Sequence, residues 1–98
     1  MTSFNERCYT LLRRVPNGKV TTYKALARAL GTKAYRAVGQ AMNKNPYAPQ
    51  VPCHRVIAAD GSIGGFAHGT NKKRAMLKKE GITLNKGKIN LLKYEHTF

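Results

Sequence analysis

Residues 22–44, TYKALARALGTKAYRAVGQAMNK, decide how the rest of the chain is read. Thr22 is placed to cap a helix whose apolar positions Tyr23, Leu26, Ala27 and Leu30 recur three and four apart, and Gly31 ends it. Thr32 then opens another helix, in which Ala34, Ala37, Val38, Ala41 and Met42 share one face while Arg36, Gln40, Asn43 and Lys44 project from the other. Two helices joined by a tight glycine-containing turn, the second with a polar and basic face, form the helix-turn-helix arrangement used in DNA grooves. Ala37, Gly39 and Ala41 add little bulk, so this second helix can pack closely on its neighbours or approach a nucleic-acid backbone. An ordinary surface helix hairpin gives the same pattern, because helix-turn-helix sequences are degenerate.

On the N-terminal side, Ser3 and Glu6 make a capping box, and Phe4, Cys8, Leu11, Leu12 and Val15 follow at helical spacing until Pro16, Asn17 and Gly18. Cys8 lies on the apolar stripe and reads as a small core residue, since reactive cysteines need partial exposure and positive surroundings. On the C-terminal side, Asn45, Pro46, Pro49 and Pro52 mark a stiff extended connection running into Cys53-His54-Arg55. Val56 to Ala59 reads as a strand, Asp60-Gly61 as a hairpin turn and Ser62-Ile63 as the return, together a small wing. Residues 64–69 form a glycine-rich loop. Thr70 or Asn71 caps a last clear helix through Glu80, stopped by Gly81. Ile82 to Leu84 and Lys88 to Leu91, separated by Asn85-Lys86-Gly87, form either a second short hairpin or a loosely packed tail. The expected fold is α+β, mostly helical: a winged helix-turn-helix-like single domain over residues 1–98 with a small β-hairpin wing.

Ninety-eight residues bury only a modest core, so any reactive site must share its elements with the fold. Eighteen Lys and Arg against four Asp and Glu give a net charge of +14, spread from Arg7 to Lys93, which points to a polyanionic partner. No apolar stretch is long enough for a bilayer and no signal-peptide core is present, so the expected location is intracellular, cytoplasmic and with DNA. Cys8 and Cys53 are expected as free thiols. A cysteine between proline and histidine, followed by arginine, suggests an activated thiol: positive charge favours thiolate, and His54 can take the proton. On these four residues alone, a buried structural cysteine fits as well. A zinc site using Cys53, His54 and His68 lacks the ligand spacing, and a zinc-dependent base deaminase fails for the same reason.

The run Val51-Pro52-Cys53-His54-Arg55-Val56, with Arg36-Ala37-Val38-Gly39 upstream and Gly64-Gly65-Phe66 downstream, closely resembles the methylated-DNA-protein-cysteine methyltransferases, or alkylguanine-DNA alkyltransferases. The resemblance extends from about Phe4 to about Gly81 and concerns the family's C-terminal reactive and DNA-binding domain, with no N-terminal domain before it. It implies a stoichiometric enzyme in which the Cys53 thiolate takes the alkyl group from O6-alkylguanine, once and irreversibly. The target nucleotide must first be flipped out of double-stranded DNA, at roughly a few kcal/mol of lost stacking and pairing.

The same resemblance implies residue roles. Arg36 is the finger that enters the duplex, with Gln40, Asn43, Lys44, Ala37 and Gly39 along the DNA-facing helix. Tyr23 helps rotate the nucleotide and protonates the departing guanine, although a core aromatic at helical spacing would look the same. Asn45 is a hinge between the recognition helix and the reactive loop, to which Pro52 and Arg55 belong, Arg55 as a brace. His54 draws the proton from Cys53 through a water, and Glu80 orients the imidazole. A carboxylate at a helix C-terminus is also disfavoured unless something compensates it. Val56, Gly65, Phe66 and Ala67 line the base pocket, where Phe66 stands in place of the family's common tyrosine. Neither metal nor organic cofactor is implied, and the chain is expected to act as a monomer. The competing reading is a non-catalytic damage sensor, but relatives that only recognise lesions replace the reactive cysteine.

Overall fold

Ser3 opens the first helix as the capping box predicts: its Oγ accepts the Glu6 N–H at 3.1 Å, and α1 runs Phe4–Leu12. The computed structural model describes residues 3–48, 50–63 and 69–98. Thr22 caps α2 (Tyr23–Ala29), accepting the Ala25 N–H at 2.9 Å, and α3 spans Tyr35–Asn43. Helix α1 is shorter than its apolar pattern, which continues to Val15; that side chain is buried from a turn instead. Helix α3 starts later than expected. The Thr32 Oγ1 accepts the Ala34 N–H, an i to i+2 bond that makes a local turn rather than a helix cap, and Ala34 becomes an exposed N-cap rather than part of the apolar face.

Leu12, Leu26, Val38, Val51 and Val56 are fully buried among α1, α2, α3 and the chain beyond them. Each buried leucine contributes roughly 1.5–3 kcal/mol relative to exposure, so packing rather than helix propensity holds these short helices. The Tyr9 hydroxyl donates to the Ala41 carbonyl at 2.8 Å, a buried bond that fixes α1 against α3.

A second cluster contains Val20, Ile57, Ile63, Leu77, Ile82, Ile89 and Tyr94. The seam between the two clusters is a parallel pair, β1 (Thr21–Thr22) with β2 (Val56–Ile57), Thr21 opposite Val56 and Thr22 opposite Ile57. Side chains alternate across a strand, so Val56 enters the first cluster and Ile57 the second. This corrects the expected wing. The turn at Asp60-Gly61 does form, with the Ala58 N–H donating to the Ser62 carbonyl, but β2 finds its strand partner in β1. Parallel strands need a long crossover, here α2 and α3, whereas a short turn suggests only an antiparallel partner.

Helix α4 (Thr70–Lys79) is capped by Gly69 at φ +98° with no side-chain bond, not by Thr70 or Asn71, and Glu80 is its C-cap. Residues 82–98 form a hairpin and pack. Strands β3 (Leu84–Asn85) and β4 (Lys88–Ile89) flank Lys86 and Gly87, both at positive φ as a type I′ turn requires. Gly61 meets β4 so closely that a Cβ would lie 2.6 Å from the Ile89 carbonyl oxygen. A further short helix, α5 (Leu91–Tyr94), was not expected; the Asn90 side chain caps it. Beyond it, Val20 and His96 exchange backbone bonds that pin the chain end to the start of β1.

Candidate active site

The reactive run is wound, not extended. Cys53–Arg55 form one 3₁₀ turn after Pro52, closed by Arg55 N–H to the Pro52 carbonyl at 2.9 Å. The Cys53 N–H and the Asn45 amide both donate to the Val51 carbonyl, each at 2.8 Å, and the Asn45 Oδ1 accepts the Tyr47 N–H. Asn45 lies two residues beyond the end of α3, so it joins that helix to the reactive turn, the hinge position expected of it.

His54 is buried, and its Nε2 lies 2.8 Å from Glu80 Oε2. Arg55 completes the group: its Nε and second terminal nitrogen donate to the two Glu80 oxygens at 2.9 and 2.8 Å, and its first donates to the Val15 carbonyl at 2.8 Å. Arg55 therefore braces the turn against both α4 and the end of α1. Burial alone would raise the Glu80 carboxyl, but the hydrogen bonds from Arg55 and His54 more than offset this and hold it below the usual carboxylate range. That pairing supplies the compensation that a carboxylate at a helix C-terminus requires. Burial lowers His54 below the ordinary imidazole value despite the opposing pull of Glu80. The ring is thus neutral at pH 7. With an ionised carboxylate on Nε2, the hydrogen sits on Nε2 and Nδ1 keeps its lone pair as a proton acceptor.

Among the described residues, no direct hydrogen bond joins the Cys53 thiol to His54. Both cysteines are reduced and buried, Cys8 at 0% and Cys53 at 5% exposure, so exposure does not separate the two as the sequence argument assumed. Their neighbours do. Cys8 sits in the apolar cluster, where burial raises its thiol, while Cys53 begins the turn that carries His54 and Arg55. Tyr23, at the first position of α2, is half-buried against the same cluster, and desolvation followed by the nearby Cys53 raises its phenol. It stays protonated at neutral pH and remains a proton donor.

Along α3, Arg36, Gln40 and Asn43 are exposed, as is Lys44 at its C-cap, whereas Ala37 and Gly39 are half-buried. A Cβ at Gly39 would meet nothing within 4 Å, so packing inside the protein does not require glycine there. Gly65, Phe66 and Ala67, the expected base-pocket residues, lie outside the described residues, as do Pro49 and His68; Val56 is buried at the seam. Among the described residues, no three His, Cys, Asp or Glu side chains converge as metal ligands, and no helix is long and apolar enough to cross a membrane.

One site residue had no sequence signal. Lys73 on α4 is fully buried, and its ammonium donates to the Val56 and Ile63 carbonyls, both at 2.6 Å, while lying 6.0 Å from the Tyr23 ring centroid. In a helix reading TNKKRAMLKK, one lysine of four is indistinguishable from a solvated one.

The comparisons agree with this geometry. Residues 3–82 match the family model for the 6-O-methylguanine DNA methyltransferase DNA-binding domain. A methylated-DNA–protein-cysteine methyltransferase of Saccharolobus islandicus is 54% identical over 71 residues, covering 72% of this chain and 46% of that protein, so the chain spans about half the length of such a relative. Mycobacterium tuberculosis OGT in complex with DNA superposes with a TM-score of 0.79 at 43% identity, covering 83% of this chain and 50% of that one. S. pombe Atl1, in complex with damaged DNA containing O6-carboxymethylguanine, superposes with a TM-score of 0.85 at 32% identity over 100% of both chains. The chain therefore belongs to the 6-O-methylguanine DNA methyltransferase family, through its DNA-binding domain.

Proposed function

We propose that this chain repairs double-stranded DNA by accepting the alkyl group of O6-alkylguanine on Cys53, once per molecule, and that it corresponds to the C-terminal reactive part of longer relatives. One observation carries the reading: in a member of this family, a cysteine opens the turn whose next residue is a buried neutral histidine held at 2.8 Å by an ionised glutamate. Arg36 enters the duplex and fills the gap left by the flipped nucleotide, while Gln40, Asn43 and Lys44 follow the groove and backbone. The net charge of +14 draws the domain to phosphates of any sequence.

His54 accepts the Cys53 proton through a water on its Nδ1 side, and Glu80 stabilises the imidazolium that forms. The sulfur then attacks the alkyl carbon in line with its bond to O6. The carbon–sulfur bond forms as the carbon–oxygen bond breaks, the electron pair passes into the guanine ring, and Tyr23 supplies the proton that leaves neutral guanine. The product is a thioether with no good leaving group, so each protein reacts once.

A second reading, lesion recognition without transfer, is favoured by the end-to-end match to Atl1. Incubating the chain with excess duplex carrying one O6-methylguanine separates the two. Transfer predicts guanine restored up to one equivalent per protein and no further. Tight lesion binding with the O6-methylguanine content unchanged means recognition alone.

A further inference from the structure

Burying an ammonium is expensive unless it is hydrogen-bonded, and burial lowers Lys73 to about 8. An apolar side chain would fill the seam at lower cost, so the position of the two carbonyls it holds is informative. Val56 is the first residue after the turn bearing Cys53. Ile63 is the last described residue before residues 64–68, where the resemblance puts most of the base pocket. At the other end of that segment, the Gly69 carbonyl accepts the Lys73 N–H at 3.1 Å. One residue thus ties down both ends of the segment, Ile63 through its side chain and Gly69 through its backbone, and fastens them to the exit of the reactive turn. The same ammonium lies against Tyr23, the proton donor of the proposed reaction.

We propose that Lys73 is a positioning residue for the alkylated base, its ammonium fixing the segment 64–68 relative to Cys53 so that the alkyl carbon meets the thiol in line. The proposal rests on the alkyl-transfer reading above. It assigns Lys73 to the placement of the base, not to the reactivity of the thiol itself. A misplacement of about 1 Å at a reacting centre costs on the order of a hundredfold in rate.

The test compares Lys73→Met with the wild type in three measurements: single-turnover transfer from a duplex carrying one O6-methylguanine, the duplex concentration giving half-maximal rate, and carboxamidomethylation of Cys53 by iodoacetamide, which needs no base pocket. The maximal transfer rate should fall roughly ten- to a hundredfold, while the half-saturating concentration and the iodoacetamide rate change by less than about twofold. Ethylammonium added to Lys73→Ala should restore transfer in part by returning a donor to the two carbonyls. Unchanged transfer in a folded Lys73→Met protein overturns the proposal. So does a parallel loss of transfer and iodoacetamide reactivity, which would place the effect on the thiol. If Lys73→Met does not fold, Lys73→Ala with and without ethylammonium decides, and absence of rescue counts against the proposal. A wild-type protein that takes up no methyl at all sinks the alkyl-transfer reading instead, a result distinct from all of these.

Discussion

The inner face of α4 carries two buried charges seven residues apart, two helical turns, and they are held in different ways. At the C-terminal end, Glu80 is held by charged side chains from the reactive turn, with Arg55 gripping both its oxygens. Towards the N-terminal end, Lys73 binds main-chain carbonyls on either side of the Asp60-Gly61 turn. The difference shows how the fold divides its work. The Glu80 end sets the protonation and orientation of His54, and the Lys73 end sets the distance between two pieces of backbone.

Breaking the carboxylate end should have the larger effect. Glu80→Gln leaves Arg55 facing a neutral amide in a site where both partners are mostly covered, and removing one member of such a pair costs about 3 kcal/mol. Urea unfolding at pH 7 measures this loss. The pH dependence has a definite sign. Glu80 lies below its unfolded value of 4.5, so its contribution is complete above pH 4.5 and disappears as pH falls through the folded value. His54 lies below 6.5, so the unfolded chain takes up that proton first, and stability again falls as pH drops below 6.5 towards the folded value. The Glu80→Gln protein should therefore show a shallower acid limb than the wild type. An identical limb would mean that the carboxylate is not paired in solution.

The two ends also differ in how legible they were. Glu80 could be picked out because a carboxylate at a helix end is unusual among eighteen cations, and the Pro-Cys-His-Arg run supplied its partners. Lys73 could not, because a buried lysine betrays itself only through the carbonyls it meets, and those lie 10 and 17 residues away in sequence. The same distinction holds for the fold. Thr22 and Ser3 act on residues three positions on, and both caps were readable. The β1–β2 pair joins residues on either side of two helices, and nothing local in Val56-Ile57 announces Thr21-Thr22. Helix α3 shows the intermediate case. Its polar and apolar faces were legible from periodicity, but its first residue was not, because Thr32 caps a turn as readily as a helix.

The ammonium end has its own pH signature, smaller and opposite in chemical origin. Lys73 titrates at about 8 when folded and at 10.5 when unfolded, so the cost of burying its charge is complete below pH 8. It is relieved as pH rises through that window, where the unfolded chain holds a proton that the folded chain has lost. Between about pH 8 and 10.5, the wild-type unfolding free energy should rise with pH more steeply than that of Lys73→Met, by up to about 1.4 kcal/mol per pH unit. Equal slopes would show that the lysine is not buried as a titrating group.

The smallest effect lies outside both ends. Gly39→Ala on α3 meets open space and should stabilise the helix by about 0.5–1 kcal/mol. If α3 is the helix that approaches the DNA backbone, the same change should weaken duplex binding while leaving iodoacetamide labelling of Cys53 unchanged. Unaltered duplex affinity would remove Gly39 from the interface.

The central claim is that Cys53 is the acceptor, and the most direct measurement is the mass of the protein and of its Cys53 peptide after reaction with a duplex bearing one O6-methylguanine, with Cys53→Ser as control. The account predicts one added methyl on the Cys53 peptide, saturating at one per molecule and absent from the control. Lesion binding with no mass change, or a methyl found on Cys8, would contradict it.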